Sequence, residues 1–352
     1  MQKYRKARIY KQPEHKNFNA EMLNKEKYFL IKQPSHKFAL SCAKIQRVET
    51  KYNLISIMGA TAGGKTGVAV HLAKALGTEI ISADSRQVYR GMDIGTGKDL
   101  DEYTIDGQQI PYHLIDILDA GEKYNVFEYQ SDFFKAYDDI RSRGMIPVLC
   151  GGTGLYIESV LKNYNLPNVP EDSNLRKSLE NKSLDELEII LRTYKPLNNN
   201  SDYDTAKRAI RAIEIAEYTK RNPLCTTSNR NLNSLNIGIL FDREQRRDRI
   251  TARLKQRLEN GMVNEVESLV KNGISYESLE YYGLEYKYLA WYLQGKISYD
   301  EMFEQLNTSI HRFAKRQMTW FRKMERDGIE IHWLDGNLSM EEKVGMILEL
   351  MK

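Results

Sequence analysis

The residues with the plainest chemical capacity are Gly59–Thr66, which read GATAGGKT and satisfy the pattern G-x-x-x-x-G-K-[ST]. Glycines let successive backbone N–H groups turn into one concavity, and such a nest holds anionic oxygens. Here Gly59, Ala60, Thr61, Ala62, Gly63 and Gly64 supply the amides, Lys65 a mobile cation and the Thr66 hydroxyl a ligand for Mg²⁺. An apolar NLISIM precedes the loop and an amphipathic GVAVHLAKAL follows it. A strand therefore leads in, and a helix N-terminus faces the anion. The segment binds phosphate. It does not identify the ligand, because kinases, GTPases and other phosphate users share this device.

Three further stretches carry chemistry. EIISADSRQVYRGMDIGTGK sets Asp84 and Ser85 at the C-terminal end of a second apolar strand, beside the loop in a doubly wound sheet. IPVLCGGTGLYI sets Gly151, Gly152 and Thr153 at the equivalent end of a later strand, where Thr153 reads either as a site residue or as a cap on the next helix. DREQRRDRITARLKQRLENGM carries Arg243, Arg249, Arg253 and Arg257, the last three at spacing four and hence on one helix face. Like charges in a stripe cost stability unless an anion compensates them. Spacing alone leaves two readings, a solvated face and an anion site. Cys42, Cys150 and Cys225 show no metal-ligand spacing and read as reduced, structural thiols.

The elements that must position these groups alternate. Strand patterns at NLISIM, EIISA, YHLIDIL, IPVLC and NIGILF, with IEIHWL a further candidate, are separated by helical stretches such as VFEYQSDFFKAYDDIRSRG. That order predicts an α/β fold: a P-loop NTPase-like, doubly wound parallel sheet. Two prolines in NLPNVPEDSN interrupt the pattern, and helices are expected over 172–194 and 203–219. The predicted organisation is a basic, disordered extension (1–50), the first part of the core (51–164), a helical insertion (165–210), then completion of the core and helices that run to about Asp327 (211–352).

At 352 residues, 41% hydrophobic and 28% charged, the chain can bury a sizeable core. No apolar run approaches the roughly 20 residues that span a bilayer, and the N-terminus lacks a signal-like apolar segment. A cytoplasmic protein acting as a monomer is expected. The net charge of +4 conceals an uneven distribution. Residues 1–50 hold twelve Lys/Arg against four Asp/Glu, and include RKARIYKQPEHK. They read as an RNA-contacting or targeting extension, or as sequence ahead of a start at Met22. Residues 84–140 hold thirteen acids against five bases, 205–257 the reverse, and 311–326 six bases against one acid. Clustered basic surface suits a polyanion such as nucleic acid; solvated helix faces are the plainer reading.

Taken together, GATAGGKT, SADSRQVYRGMDIGTGK, GGTGLYI and HRFAKRQMTWFR closely resemble the tRNA dimethylallyltransferase (tRNA isopentenyltransferase) family, in this order and from about Tyr52 to Asp335. The resemblance implies that the loop and Arg249 hold the diphosphate of dimethylallyl diphosphate, with Mg²⁺ at Thr66. It further implies transfer of the prenyl group to N6 of the adenosine at tRNA position 37, next to the anticodon. Asp84 matches the family's catalytic base, with a role around Mg²⁺ as the rival reading; Arg253 matches its essential arginine, and Thr153 a residue near the bridging oxygen and the amine. Asp84, Ser85, Arg86 and Gln87 match the segment receiving the target base. Lys207, Arg208 and Arg211 in KRAIR, and Arg312, Lys315, Arg316 and Gln317 in HRFAKRQ, match segments that grip the anticodon stem-loop. In HRFAKRQMTWFRK, Met318, Trp320 and Phe321 also read as the apolar side of an amphipathic helix, and both readings can hold.

The sequence departs from the family at three places. GATAGGKT stands where GPTASGKT is common, so Ala60 replaces Pro and Gly63 replaces Ser, which removes a hydroxyl from the anion's surroundings. Glu285 in GLEYKYL brings a carboxylate to the RNA-facing segment where many members have Gly. The insertion is short. No Cys/His finger spacing follows the last helix, the bacterial pattern. The competing functions are an adenylate isopentenyltransferase with a free nucleotide acceptor, a P-loop nucleotide kinase and a non-catalytic RNA-binding protein. Basic C-terminal helices favour tRNA over a free nucleotide.

Overall fold

The computed structural model describes residues 50–194, 196, 203–222 and 230–352. All belong to one compact unit, Ile45–Lys352. The basic extension, Cys42 and Cys225 lie outside the described residues, apart from Thr50.

In chain order the core begins with β1 (Leu54–Met58), α1 (Lys65–Leu76) and β2 (Ile80–Ala83). A 3₁₀ turn (Leu100–Tyr103) and a two-strand ribbon, β3 (Thr104–Ile105) with β4 (Gln108–Gln109), precede β5 (Tyr112–His113). Next come α2 (Val126–Ser142), β6 (Val148–Gly151) and α3 (Gly154–Leu161). Three helices follow, α4 (Ser173–Leu179), α5 (Leu184–Arg192) and α6 (Ala206–Arg221), before β7 (Ser234–Leu240) returns to the sheet. The remainder is α7 (Arg243–Glu259), α8 (Met262–Lys271), α9 (Tyr276–Tyr281), α10 (Leu284–Leu293), α11 (Tyr299–Arg326), β8 (His332–Asp335) and α12 (Met340–Leu350).

The sheet runs β5-β2-β6-β1-β7-β8, and each pairing is parallel. Helices cover both faces, so the central strands are apolar throughout; all five residues of β1 are buried. Alternate side chains feed two cores. Leu54 and Met58 face the one shared with α2, α3 and α11, whereas Ile55 and Ile57 face the one shared with α1 and α12. Register decides where the site lies. Gly151 pairs with both Met58 and Ala83, so Gly59, Asp84 and Gly152 emerge from three adjacent strands at one level. This is the carboxyl edge of the sheet, where open α/β folds bind ligands.

Helix α11 is positioned by a capping box between Ser298 and Glu301. Its inner face carries Met302, Leu306, Ile310, Ala314, Met318, Phe321 and Met324 at spacings of three and four. Truncating the fully buried Phe321 to Ala should cost about 3–5 kcal/mol. Trp320 packs against the same core while Arg312, Lys315 and Arg316 remain exposed, so one helix serves core and surface.

Some elements differ from the sequence pattern. YHLIDIL gives only Tyr112–His113 as strand, because Leu114 and Asp116 adopt left-handed φ of 62° and 55° and turn the chain. The stretch 172–194 is two helices, since Ser183 and Glu186 form a capping box that starts α5 afresh. Helix α6 continues to Arg221, past the expected insertion boundary at 210. α4, α5 and α6 enclose a small core of their own around Leu179, Leu187, Leu191, Ala209 and Ile213. Among the described residues, no helix is long and apolar enough to cross a membrane.

Candidate active site

The phosphate loop has the conformation its composition predicts. Gly64 opens α1 with φ 68°, and Gly59 passes so close to β7 that a Cβ would lie 2.8 Å from the Ile239 carbonyl. Ala62 takes a left-handed φ of 58° without being glycine. Lys65 Nζ donates to the Ala60 carbonyl at 2.8 Å, and burial lowers its pKa from the usual lysine value. Arg249 closes the loop from α7. Its Nε donates to the Ala62 carbonyl at 3.0 Å while its guanidinium lies over the Phe241 ring. Gly63 also has a steric reason, since a Cβ there would meet the Ala60 carbonyl at 2.9 Å.

Asp84 follows β2 directly. Its Oδ1 accepts the Arg86 N–H at 2.9 Å, an Asx turn that orients the carboxylate. Thr153 precedes α3 yet makes no side-chain cap. Instead Thr153 Oγ1 accepts from Ser85 N at 3.1 Å, and its own N–H donates to the Ala83 carbonyl. This joins the β2 and β6 tips, an approach that requires Gly151, because a Cβ there would lie 2.2 Å from the Ala83 carbonyl. Gln87 turns inward, donating to the Gly97 carbonyl at 3.1 Å and accepting from Ser82 Oγ at 3.2 Å. Arg86 lies against the Tyr281 ring.

These tips surround a cleft of about 390 Å³. Lys65, Thr66 and Arg253 line it together with Asp84, Ser85, Arg86, Gln87 and Thr153, while Arg316 and Gln317 reach it from α11. Asp84 and Lys65 thus share one cavity, and the Asp84 charge raises the proton affinity of Lys65 against the dominant effect of burial. Arg253 ion-pairs with Asp99. Cys150 lies at the base with its thiol pushed up to about 12 by burial, which keeps it a neutral thiol. Glu285 joins the wall, and burial raises its carboxyl pKa.

The expected RNA-contacting residues divide. Arg312, Lys315 and Arg316 are exposed on α11, and Arg316 reaches the cleft. Gln317 is buried and ties two loops, accepting from Thr61 N and donating to the Gly152 carbonyl, both at 2.9 Å. Its amide is occupied in positioning rather than presented to solvent. On α6, away from the cleft lining, Lys207 is exposed, Arg208 pairs with Asp204, and Arg211 is held by Glu214 and the Val169 carbonyl. For a metal, the cleft offers the Thr66 hydroxyl, and no group of three or more His, Cys, Asp or Glu among the described residues could hold an ion. That donor set fits Mg²⁺, which binds through substrate oxygens and retained waters more than through a protein cage.

Known proteins resemble this chain along most of its length. The sequence matches the IPP transferase family over residues 87–324 and the isopentenyl transferase family over 52–110. It is 62% identical over 301 residues to tRNA dimethylallyltransferase 2 of Bacteroides fragilis, covering 86% of this chain and 98% of the relative. The chain belongs to the IPP transferase family. A solved tRNA isopentenylpyrophosphate transferase from Bacillus halodurans superposes with a TM-score of 0.62 at 34% identity, over 85% of this chain and 95% of that one. A eukaryotic dimethylallyltransferase crystallised acting on tRNA, 23% identical, shares the fold with a TM-score of 0.69, over 85% of this chain and 78% of that one.

In this IPP transferase, groups without a role in the sequence pattern also line the cleft. Arg257 belonged to the recognised arginine stripe, and its spacing from Arg253 already placed it on the same face. Gly97 lies in the motif SADSRQVYRGMDIGTGK without a role of its own there, and Tyr282, between α9 and α10, carries no local signal.

Proposed function

We propose that this protein transfers the dimethylallyl group of dimethylallyl diphosphate to N6 of the adenosine at tRNA position 37, beside the anticodon. The observation that carries this reading is the shared cleft, lined by both the anion cradle at Lys65 and the Asp84 carboxylate.

The chemistry follows from these groups. The adenine amine is a weak nucleophile because its lone pair is delocalised into the ring. As the N6–C1 bond forms and the allylic C–O bond breaks, Asp84 takes the N6 proton and the diphosphate leaves with the bonding electrons. Lys65, Arg253 and the loop amides stabilise the negative charge that develops on the departing oxygen. Arg249 fixes the loop that carries these amides. The Thr66 hydroxyl and the substrate oxygens would hold Mg²⁺, which when bound neutralises diphosphate charge. Thr153 holds Ser85, and with it the turn that presents Asp84. The target base enters unstacked, since a paired or stacked purine cannot bring its N6 among residues that line a cleft. Arg86 and the exposed cations of α11, with Lys207 on α6, bind backbone phosphates and orient the loop without reading sequence. Such a reaction belongs in the cytoplasm, where tRNA matures.

Radiolabelled dimethylallyl diphosphate offered with tRNA, with AMP and with ATP alone tests the proposal. Label in tRNA, located by nucleoside mass spectrometry at N6-dimethylallyladenosine, is the expected result. Transfer to AMP alone, or ATP turnover without prenyl transfer, would reject it.

A further inference from the structure

Arg257 takes no part in the mechanism above, yet its environment is unusual. It follows Arg253 by one turn of α7, and its side chain is only 13% exposed. Nε is buried with no hydrogen-bond partner among the described residues. The Nη atoms come only to 3.9 Å from Asp99 and 4.0 Å from Glu285, beyond hydrogen-bond length. Burial foremost, then the neighbouring Arg253 charge, lowers its pKa. A guanidinium has five donors, and leaving Nε desolvated and unbonded is costly.

Gly97 reveals where the two arginines converge. A Cβ at this position would lie 1.5 Å from Arg257 Nη2 and 2.8 Å from Arg253 Nη2, so both groups rest against one bare backbone position. Both also face Asp99, which ion-pairs with Arg253 and lies at longer range from Arg257. One carboxylate thus serves two adjacent guanidinium groups at the edge of the cleft. A diphosphate oxygen set would match them better in charge and in fork geometry.

We propose that Arg253 and Arg257 form a two-arginine clamp on the outer phosphate of the diphosphate, and that Asp99 is a positioning residue occupying the clamp until that anion arrives. This inference rests on the reading that the cleft takes a diphosphate. Binding exchanges the Asp99 carboxylate for phosphate oxygens at Arg253 and supplies Arg257 with the partners it lacks.

Titration calorimetry of the full chain with inorganic pyrophosphate and Mg²⁺ tests both levels. Wild-type protein should bind pyrophosphate and Lys65→Ala should weaken it; no binding by the wild type would overturn the diphosphate reading and this inference together. Given binding, Arg257→Met should weaken it by about tenfold or more. Arg257→Lys, which keeps the charge without the fork, should fall between and serves if the methionine variant does not fold. Asp99→Asn should bind pyrophosphate more tightly than wild type, an effect that a merely structural Asp99 would not give. Unchanged pyrophosphate affinity in both Arg257 variants would overturn the clamp. Unchanged or weaker affinity in Asp99→Asn would overturn the place-holding role. A loss confined to binding of an anticodon stem-loop would assign Arg257 to an RNA phosphate and also overturn the clamp.

Discussion

Lys65, which opens α1 after the loop that follows β1, and Asp84, which follows β2, lie beyond strands on either side of β6, and both line one cleft in which the carboxylate acts electrostatically on the ammonium. Neither strand touches the other, so their juxtaposition depends on β6 and on the level register of three strand ends. The anion cradle and the Asp84 carboxylate are thereby brought together by the register of the sheet.

The bond between Thr153 and Ser85 N fixes the turn at Asp84, and its loss should appear in turnover more than in binding. A single hydrogen bond is worth about 0.5–1.5 kcal/mol, so Thr153→Ala should lower kcat by roughly 3–10-fold. Thr153→Ser should restore it. Steady-state kinetics with an anticodon stem-loop would measure this, and an alanine variant with wild-type kcat would remove Thr153 from the mechanism.

Gln317 holds the phosphate loop and the Gly152 turn together. In Gln317→Ala the Thr61 N–H and the Gly152 carbonyl lose their partner, at about 1–3 kcal/mol for each buried group left unpaired. Melting temperature should fall and KM for dimethylallyl diphosphate should rise. A variant that melts as wild type and loses only tRNA affinity would return Gln317 to the RNA surface.

Arg312 and Lys315, one turn apart on α11, are exposed and form no ion pair with a described residue. Each is expected to contact one phosphate. Replacing either with Ala should weaken tRNA binding about equally for all sequences and reduce the slope of log K against log salt by roughly one. Filter binding across a salt series reads the slope directly; a slope unchanged in both variants would place the RNA elsewhere.

Glu79 joins β2 to β5 and to the end of α2, lying 2.7 Å from His113 Nε2 and accepting from Arg143. The Arg143 hydrogen bond, outweighing burial, holds its carboxyl at about 2. Because the folded pKa lies below the unfolded one, this stabilisation is complete above the ordinary glutamate range and is lost as pH falls toward 2. Glu79→Gln should cost about 1.5–3 kcal/mol at pH 7 and flatten the decline in stability between roughly pH 4.5 and 2. Denaturant melts at several pH values would show it. An acid limb as steep as that of wild type would refute the assignment.

Much of this site was legible because its parts are local. GATAGGKT specifies its own loop, and Asp84 and Thr153 each follow directly on a strand whose apolar run is unmistakable. What escaped depends on distant approach. Gln317 belongs to a basic segment and reads as surface, yet the pitch of α11 turns it into the sheet. Arg211 reads as an RNA cation until α6 folds it against Glu214. The end of β5 was hidden because Leu114 adopts a left-handed backbone that its residue type does not signal, and Asp116, a type that tolerates it, follows only two residues later. Arg257 was visible in the stripe, but its lack of a hydrogen-bonded partner at Nε appears only where α7 meets Gly97.

In the proposed reaction the Asp84 carboxylate accepts the N6 proton while the cradle at Lys65 holds the leaving diphosphate. Single-turnover transfer by Asp84→Asn, with saturating dimethylallyl diphosphate and a tRNA anticodon stem-loop, tests it most directly. The rate should fall by about 10²–10⁴-fold, with pyrophosphate and tRNA affinities near those of wild type. Transfer at the wild-type rate would contradict it.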